Sequence, residues 1–215
     1  MREIIIIILT ISILSFISGM QAQTVGPESI IEKTSHIYEE WGGMEVKFSI
    51  HITSTRNNLT ENFEGTLQMK NNKFVLTTPD MVVWFNGITQ WTLLPQNQEV
   101  NISNPEGDDL RMLNPMLLFQ NYKNDFNVAL SGESTSMNAK AAFDIMLTPR
   151  KTESIEQIEV QIEKNTSLPA RLVVTMRNQI RHIITVQELK KKVFTDEMFT
   201  FPKTTYPDVE IIDLR

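Results

Sequence analysis

Cysteine is absent from all 215 residues. That excludes disulfides, thiol catalysis, cysteine-ligated metals and a lipid-modified N-terminal cysteine. Glycine is sparse, with eight in the chain, and none falls in G-x-G-x-x-G, G-x-x-x-x-G-K-[ST] or G-x-S-x-G. Neither a phosphate-cradling loop nor a nucleophile elbow is encoded. The three histidines, His36, His51 and His182, form no local metal motif such as H-x-x-x-H and read as surface or half-buried imidazoles. The acidic pairs Glu39-Glu40 and Asp108-Asp109 are adjacent residues, and such neighbours do not converge on a site. Basic excess is lacking too: 20 Lys and Arg stand against 26 Asp and Glu, a net charge of −6. This balance suits neither nucleic acid nor an anionic lipid surface. No enzyme chemistry and no cofactor are expected.

A membrane-length apolar run is also missing. Ile4 to Ile17 follow Arg2 as an apolar stretch, shorter than the ~20 residues a span needs. Small and polar residues up to Ala22 complete the pattern of a secretory signal peptide over residues 1–22. An uncleaved anchor is the alternative, disfavoured by length. Residues 23–215 are then one exported domain, large enough for a real core. A Gram-negative periplasm suits it best, with secretion second.

What is present is mostly strand. "PESIIEKTSHIYEEW" carries Ile30, Ile31, Thr34, Ile37, Tyr38 and Trp41 at helical spacing, and Gly42-Gly43 ends it. From Met44 the period drops to two: Val46, Phe48, Ile50 and Ile52 alternate with polar residues. Asn57-Asn58 and Asn71-Asn72 mark turns, and Leu59, Phe63, Leu67 and Met69 share one side of the strand between them. Strand patterns continue at 74–77, in a hairpin turning at Asn86-Gly87 whose first arm is 81–85 and whose second arm ends at Leu93-Leu94, and at 99–103. "DDLRMLNPMLLFQNY" is helical with a break expected at Pro115, capped by Asp108 or Asp109. Strands resume at 126–130, 142–147, 155–162, 168–176 and 180–189, "TDEMF" predicts a short helical turn, and "VEIID" predicts a last strand closing the sheet. The pattern is a meander of roughly ten strands with short turns, hence antiparallel, plus two or three helices.

Two features concern surfaces. In "MVVWFNGITQWTLLP" the first arm, Met81–Phe85, is apolar on both faces, so neither face of this hairpin meets water. Residues 23–215 also hold nine methionines, a flexible side chain suited to variable apolar shapes.

The runs "FEGTLQMKNNKFVLTTPD", "FNGITQWTLLPQNQEV", "LNPMLLFQNY", "IMLTPR", "IEQIEVQIEKNTSLPARLVV" and "FTFPKTTYPDVEIID", in this order, resemble the LolA-like periplasmic lipoprotein carriers over nearly all of residues 26–213. The resemblance implies a mainly β (α+β) fold: an incomplete antiparallel β-barrel of roughly ten to eleven strands, with two or three helices over its concave face. It implies a monomer with a hydrophobic cavity for the acyl chains of lipoproteins. The partners implied are acylated lipoproteins, an inner-membrane ABC transporter that releases them and an outer-membrane acceptor. The expected wall residues are Phe48, Ile50, Phe63, Leu67 and Met69, together with Val82, Trp84 and Trp91 of the hairpin. The expected lid residues are Met112, Leu113, Met116 and Leu117. One departure stands out: the family's basic residue that latches the lid matches Asn71 here, and Arg111 is the candidate substitute. The alternative functions are a periplasmic sensor or regulatory module of the same fold, and a lipid-binding accessory of a biosynthetic cluster.

Overall fold

The computed structural model describes residues 26–215 except 55, 57, 152 and 153. The signal peptide expected over 1–22 and the first residue of the Asn57-Asn58 turn lie outside the described residues. Helix α1 spans Pro27–Trp41. Pro27 sits in the first turn, where its missing N–H costs nothing. Gly42 ends the helix in the left-handed region, φ 66°, donating its N–H to the Tyr38 carbonyl.

Twelve strands follow among the described residues: β1 (Met44–Ser54), β2 (Leu59–Lys70), β3 (Lys73–Thr77), β4 (Val82–Phe85), β5 (Gln90–Leu94), β6 (Glu99–Ser103), β7 (Phe126–Thr135), β8 (Ala141–Pro149), β9 (Ile155–Glu163), β10 (Pro169–Met176), β11 (Ile180–Lys191) and β12 (Glu210–Asp213). They form one open sheet in the order β12-β6-β5-β4-β3-β2-β1-β11-β10-β9-β8-β7. The chain lays down β1 to β6 as one meander and crosses through two short helices to the far edge. It then returns as a second meander whose last long strand, β11, pairs with β1.

Three details differ from the sequence expectation. β7 runs on to Thr135, because a bulge between Leu130 and Gly132 resets the alternation at that point. Glu210–Asp213 pairs with β6 in parallel and extends an edge instead of closing the sheet. It arrives there after the chain has crossed the outer face, so it runs in the same direction as β6. The helix at Asp108 has Gly107 in the cap position and no side-chain cap.

The alternation of each strand sorts side chains onto two faces. On the inner face, Val46 stands opposite Leu67 and Leu67 opposite Leu76, while across β11 Ile50 meets Ile184. Over the β7–β10 half of this face, α1 packs a solid core. Ile30 and Ile31 are buried among Phe126, Ile145, Leu147, Ile158 and Ile162. Burying each such aliphatic side chain is worth roughly 1.5–3 kcal/mol. Thr34 fixes the helix on the sheet by donating its hydroxyl to the Ser167 carbonyl at 2.7 Å.

The outer face carries a separate cluster. Val75, Trp84, Leu93 and Val100 are buried there beneath Phe199, with Trp91, Val82, Phe201, Tyr206 and Val209 around them. Trp84 meets the rings of Phe201 and Tyr206 edge-on at 5.5 and 6.0 Å. The C-terminal segment therefore crosses this face as a strap. A 3-10 turn at Asp196–Phe199 begins it. Asp196 pins it by accepting from Lys70 and Lys73, each at 2.8 Å.

Candidate functional site: an apolar cavity under a helical roof

Among the described residues, no long helix lies on the sheet over the β1–β3 and β11 part of the inner face. A cavity of about 240 Å³ remains there. Its floor is the alternating row Val46, Phe48, Ile50 and Ile52 of β1, flanked by Phe63 and Leu67 of β2, Leu76 of β3, and Ile184 and Val186 of β11. Period-two alternation puts these residues on one side, and pairing in register brings the four strands' apolar rows together. Gly65 belongs to this design: it lies opposite Phe48, and a Cβ there would stand 2.5 Å from the Phe48 ring and 2.9 Å from the Thr77 carbonyl. The missing side chain leaves the space that the Phe48 ring occupies.

The roof is the interrupted helical segment. Helix α2 covers Asp108–Leu113, a 3-10 turn Pro115–Leu117, and helix α3 Leu118–Asp125. The break falls at Pro115 as expected, since proline cannot supply the N–H that would continue α2. Asn114 is fully buried at the break. Its backbone N–H reaches the Leu110 carbonyl at 2.9 Å, and its side-chain oxygen accepts from the Met116 N–H at 3.1 Å. These bonds aim Met112, Leu113 and Met116 at the cavity. Two contacts hold the roof down. Tyr38 of α1, buried with its phenol pushed up in pKa by burial, donates to the Met116 thioether at 3.0 Å. Arg111 donates to Asp125 at 2.7 Å and lies 5.6 Å from the Phe126 ring centre, tying α2 to the end of α3.

Seven of the residues named from sequence come together at this cavity: Phe48, Ile50, Phe63, Leu67, Met112, Leu113 and Met116. Five do not. Val82, Trp84 and Trp91 point to the opposite face and pack under the strap. In β4 it is Val83 and Phe85 that face inward, into the main core. Both faces of the hairpin are apolar because both are covered, one by the core and one by the chain's own C-terminal segment. Met69 is buried two residues beyond Leu67 and lines a separate pocket with Tyr38, Met44, Asn71 and Asn72 at the end of α1. Leu117 is half-buried in the 3-10 turn and is not in the cavity lining. Asn71 thus stands in a turn beside α1, and the guanidinium on the roof is that of Arg111.

Sequence reasoning passed over His182, read only as a surface or half-buried imidazole. It lines the cavity beside Ile52, its partner in register. Its place in the inward row of β11, two residues before Ile184, was the available signal.

An open sheet whose inner face is half filled by a helix and half left as an apolar hollow under a jointed roof is the architecture of a binding scaffold. The family model described as outer membrane lipoprotein carrier protein LolA matches residues 18–179, and the chain belongs to that family. Among solved structures, an uncharacterized conserved protein from Thermus thermophilus has the same fold: TM-score 0.55 at 12% identity, covering 86% of this chain and 98% of that one. A LolA superfamily protein from Nitrosomonas europaea aligns with TM-score 0.47 at 12% identity, over 83% of this chain and 99% of that one. Lipoprotein LppX from Mycobacterium tuberculosis aligns with TM-score 0.43 at 14% identity, over 77% of this chain and 96% of that one. No curated protein matches the sequence. The family is described as one of lipoprotein carriers. Among the described residues no helix is long and apolar enough to cross a membrane.

Proposed function

We propose that this protein is a soluble periplasmic carrier that takes the acyl chains of lipoproteins into its cavity. It receives them from an ABC transporter at the inner membrane and yields them to an acceptor at the outer membrane. The observation that carries this reading is the apolar hollow of about 240 Å³ between β1–β3, β11 and the roof. Membership of a lipoprotein-carrier family and the secretory pattern of residues 1–22 support it.

The energetics agree. A 16-carbon chain exposed to water costs on the order of 12 kcal/mol, at about 0.8 kcal/mol per methylene. With roughly 30 Å³ for each small group, the cavity holds about eight methylenes, worth about 6 kcal/mol. That is enough to retain a chain and weak enough to release it. It is also about half of one long chain, so a full cargo requires the roof to lift and the methionines to repack.

The test is direct. The protein without residues 1–22 is mixed with a triacylated lipoprotein and with the same polypeptide lacking acyl groups. A soluble one-to-one complex forms with the acylated cargo alone. Equal binding of both cargoes, or of neither, refutes the proposal.

A further inference from the structure

We infer that His182 is the head-group contact of the cavity, a hydrogen-bond donor to the carbonyl oxygen of a bound acyl chain. The inference rests on the acyl-binding reading above and names the ligand chemistry that the site recognises.

Among the described residues, every side chain lining the cavity apart from Thr78 and His182 is hydrocarbon or thioether. Thr78 is committed to its own turn, its hydroxyl accepting from the Met81 N–H and lying 3.3 Å from the Met81 carbonyl. His182 is half-buried, and burial is the influence acting on its basicity, lowering it. No hydrogen-bond partner for its ring is found among the described residues. At neutral pH the ring is therefore uncharged, with one N–H to give and one nitrogen to accept.

Its neighbours offer nothing to take that proton. Ile52 stands opposite on β1 and Val174 opposite on β10, and Ile184 is the next inward residue of β11. The ring's nitrogens are not sealed from water, so in the unfilled cavity they are left to solvent and stand available to a polar group on a ligand.

The position also fits. Along β1 the cavity floor runs from buried Val46 to half-buried Ile50 and Ile52. His182 is paired with Ile52, at the more open end. A chain entering tail first places its hydrocarbon against Val46, Leu67 and Met116 and leaves its carbonyl near the His182 ring. Esters, amides and carboxylates all offer that oxygen; an alkane does not.

The experiment uses the protein without residues 1–22 and displacement of a neutral fluorescent probe, N-phenyl-1-naphthylamine, by decane, methyl decanoate and decanoate. In the wild type, the preference for methyl decanoate over decane exceeds that of His182→Leu by about fivefold, the typical worth of one hydrogen bond. His182→Gln, which keeps a donor, retains most of the preference. Decanoate behaving like the ester assigns the contact to any acyl carbonyl, whereas loss of decanoate binding alone restricts it to esterified chains. An ester-to-alkane ratio unchanged in His182→Leu overturns the inference while leaving acyl binding intact. Failure of all three ligands to displace the probe from wild type overturns the proposed function as well. A second readout needs no variant: methyl decanoate shifts the His182 ring resonances in NMR and decane shifts them less. Equal shifts overturn the inference.

Discussion

Replacing Asp125 by Asn should loosen the roof of the cavity without unfolding the protein. The side chains of Arg111 and Asp125 are 16% and 32% exposed and meet at 2.7 Å. At that separation and an effective dielectric constant of about 20, their attraction is about 6 kcal/mol. Desolvation returns most of it, and a pair between the exposed and the buried limits is worth about 1–2 kcal/mol net. Asp125 also ends α3, where a negative charge opposes the helix dipole. Neutralising it gives back about 0.3–1 kcal/mol. The balance is about 1 kcal/mol, or roughly fivefold in the roof's opening equilibrium. Hydrogen exchange should then quicken about fivefold at Asn114 and Leu117, whose N–H groups bond to Leu110 and Asn114. Uptake of a fluorescent acyl chain, measured by stopped flow, should accelerate by a similar factor. Glu32→Gln is the control, because its pair with Lys123 is 64% and 63% exposed and should contribute little. If Asp125→Asn changes neither roof exchange nor uptake, the clasp does not hold the roof and the reasoning fails.

Other expectations follow from the same geometry. Trp84→Ala should cost about 3–5 kcal/mol of stability, read as a fall in Tm, because it empties the cluster beneath the strap. It should leave acyl affinity within twofold, and a large affinity loss in the folded variant would place Trp84 on the ligand's path. Lys70 and Lys73 hold the Asp196 carboxyl at about 2, below the ordinary value for aspartate. That ion-pair stabilisation is complete above about pH 4 and fades as the pH falls toward 2. Acid should loosen the strap in this window, changing the emission of Trp84 and Trp91. Asp196→Asn should remove the transition, and its persistence in that variant would assign it to other carboxylates.

Much of the architecture is legible in the residues because local rules govern it. The spacing of Ile30, Ile31, Thr34 and Tyr38 defines α1 and the face it buries, and Pro115 breaks the roof where an N–H is lost. The floor of the cavity is readable from the alternation of Val46, Phe48, Ile50 and Ile52. The hairpin shows where such reading stops. Parity separates Val82 and Trp84 from Val83 and Phe85, but it does not say which pair faces inward. That is settled by Phe199, Phe201 and Tyr206, more than a hundred residues away in sequence. The parallel pairing of β12 is likewise non-local. So is the value of His182, whose polarity matters only because β1 and β11 surround it with hydrocarbon.

The seam between β1 and β11 has a consequence for how the molecule is made. One edge of residues 44–54 pairs with β2, near it in sequence, but the other edge finds its partner only at 180–191, so the β11 side of the hollow's floor is missing until almost the whole polypeptide exists. Closing so large a loop is entropically slow. A chain emerging in order from the ribosome cannot finish its central wall early, and β1 waits with one edge open until the last long strand appears.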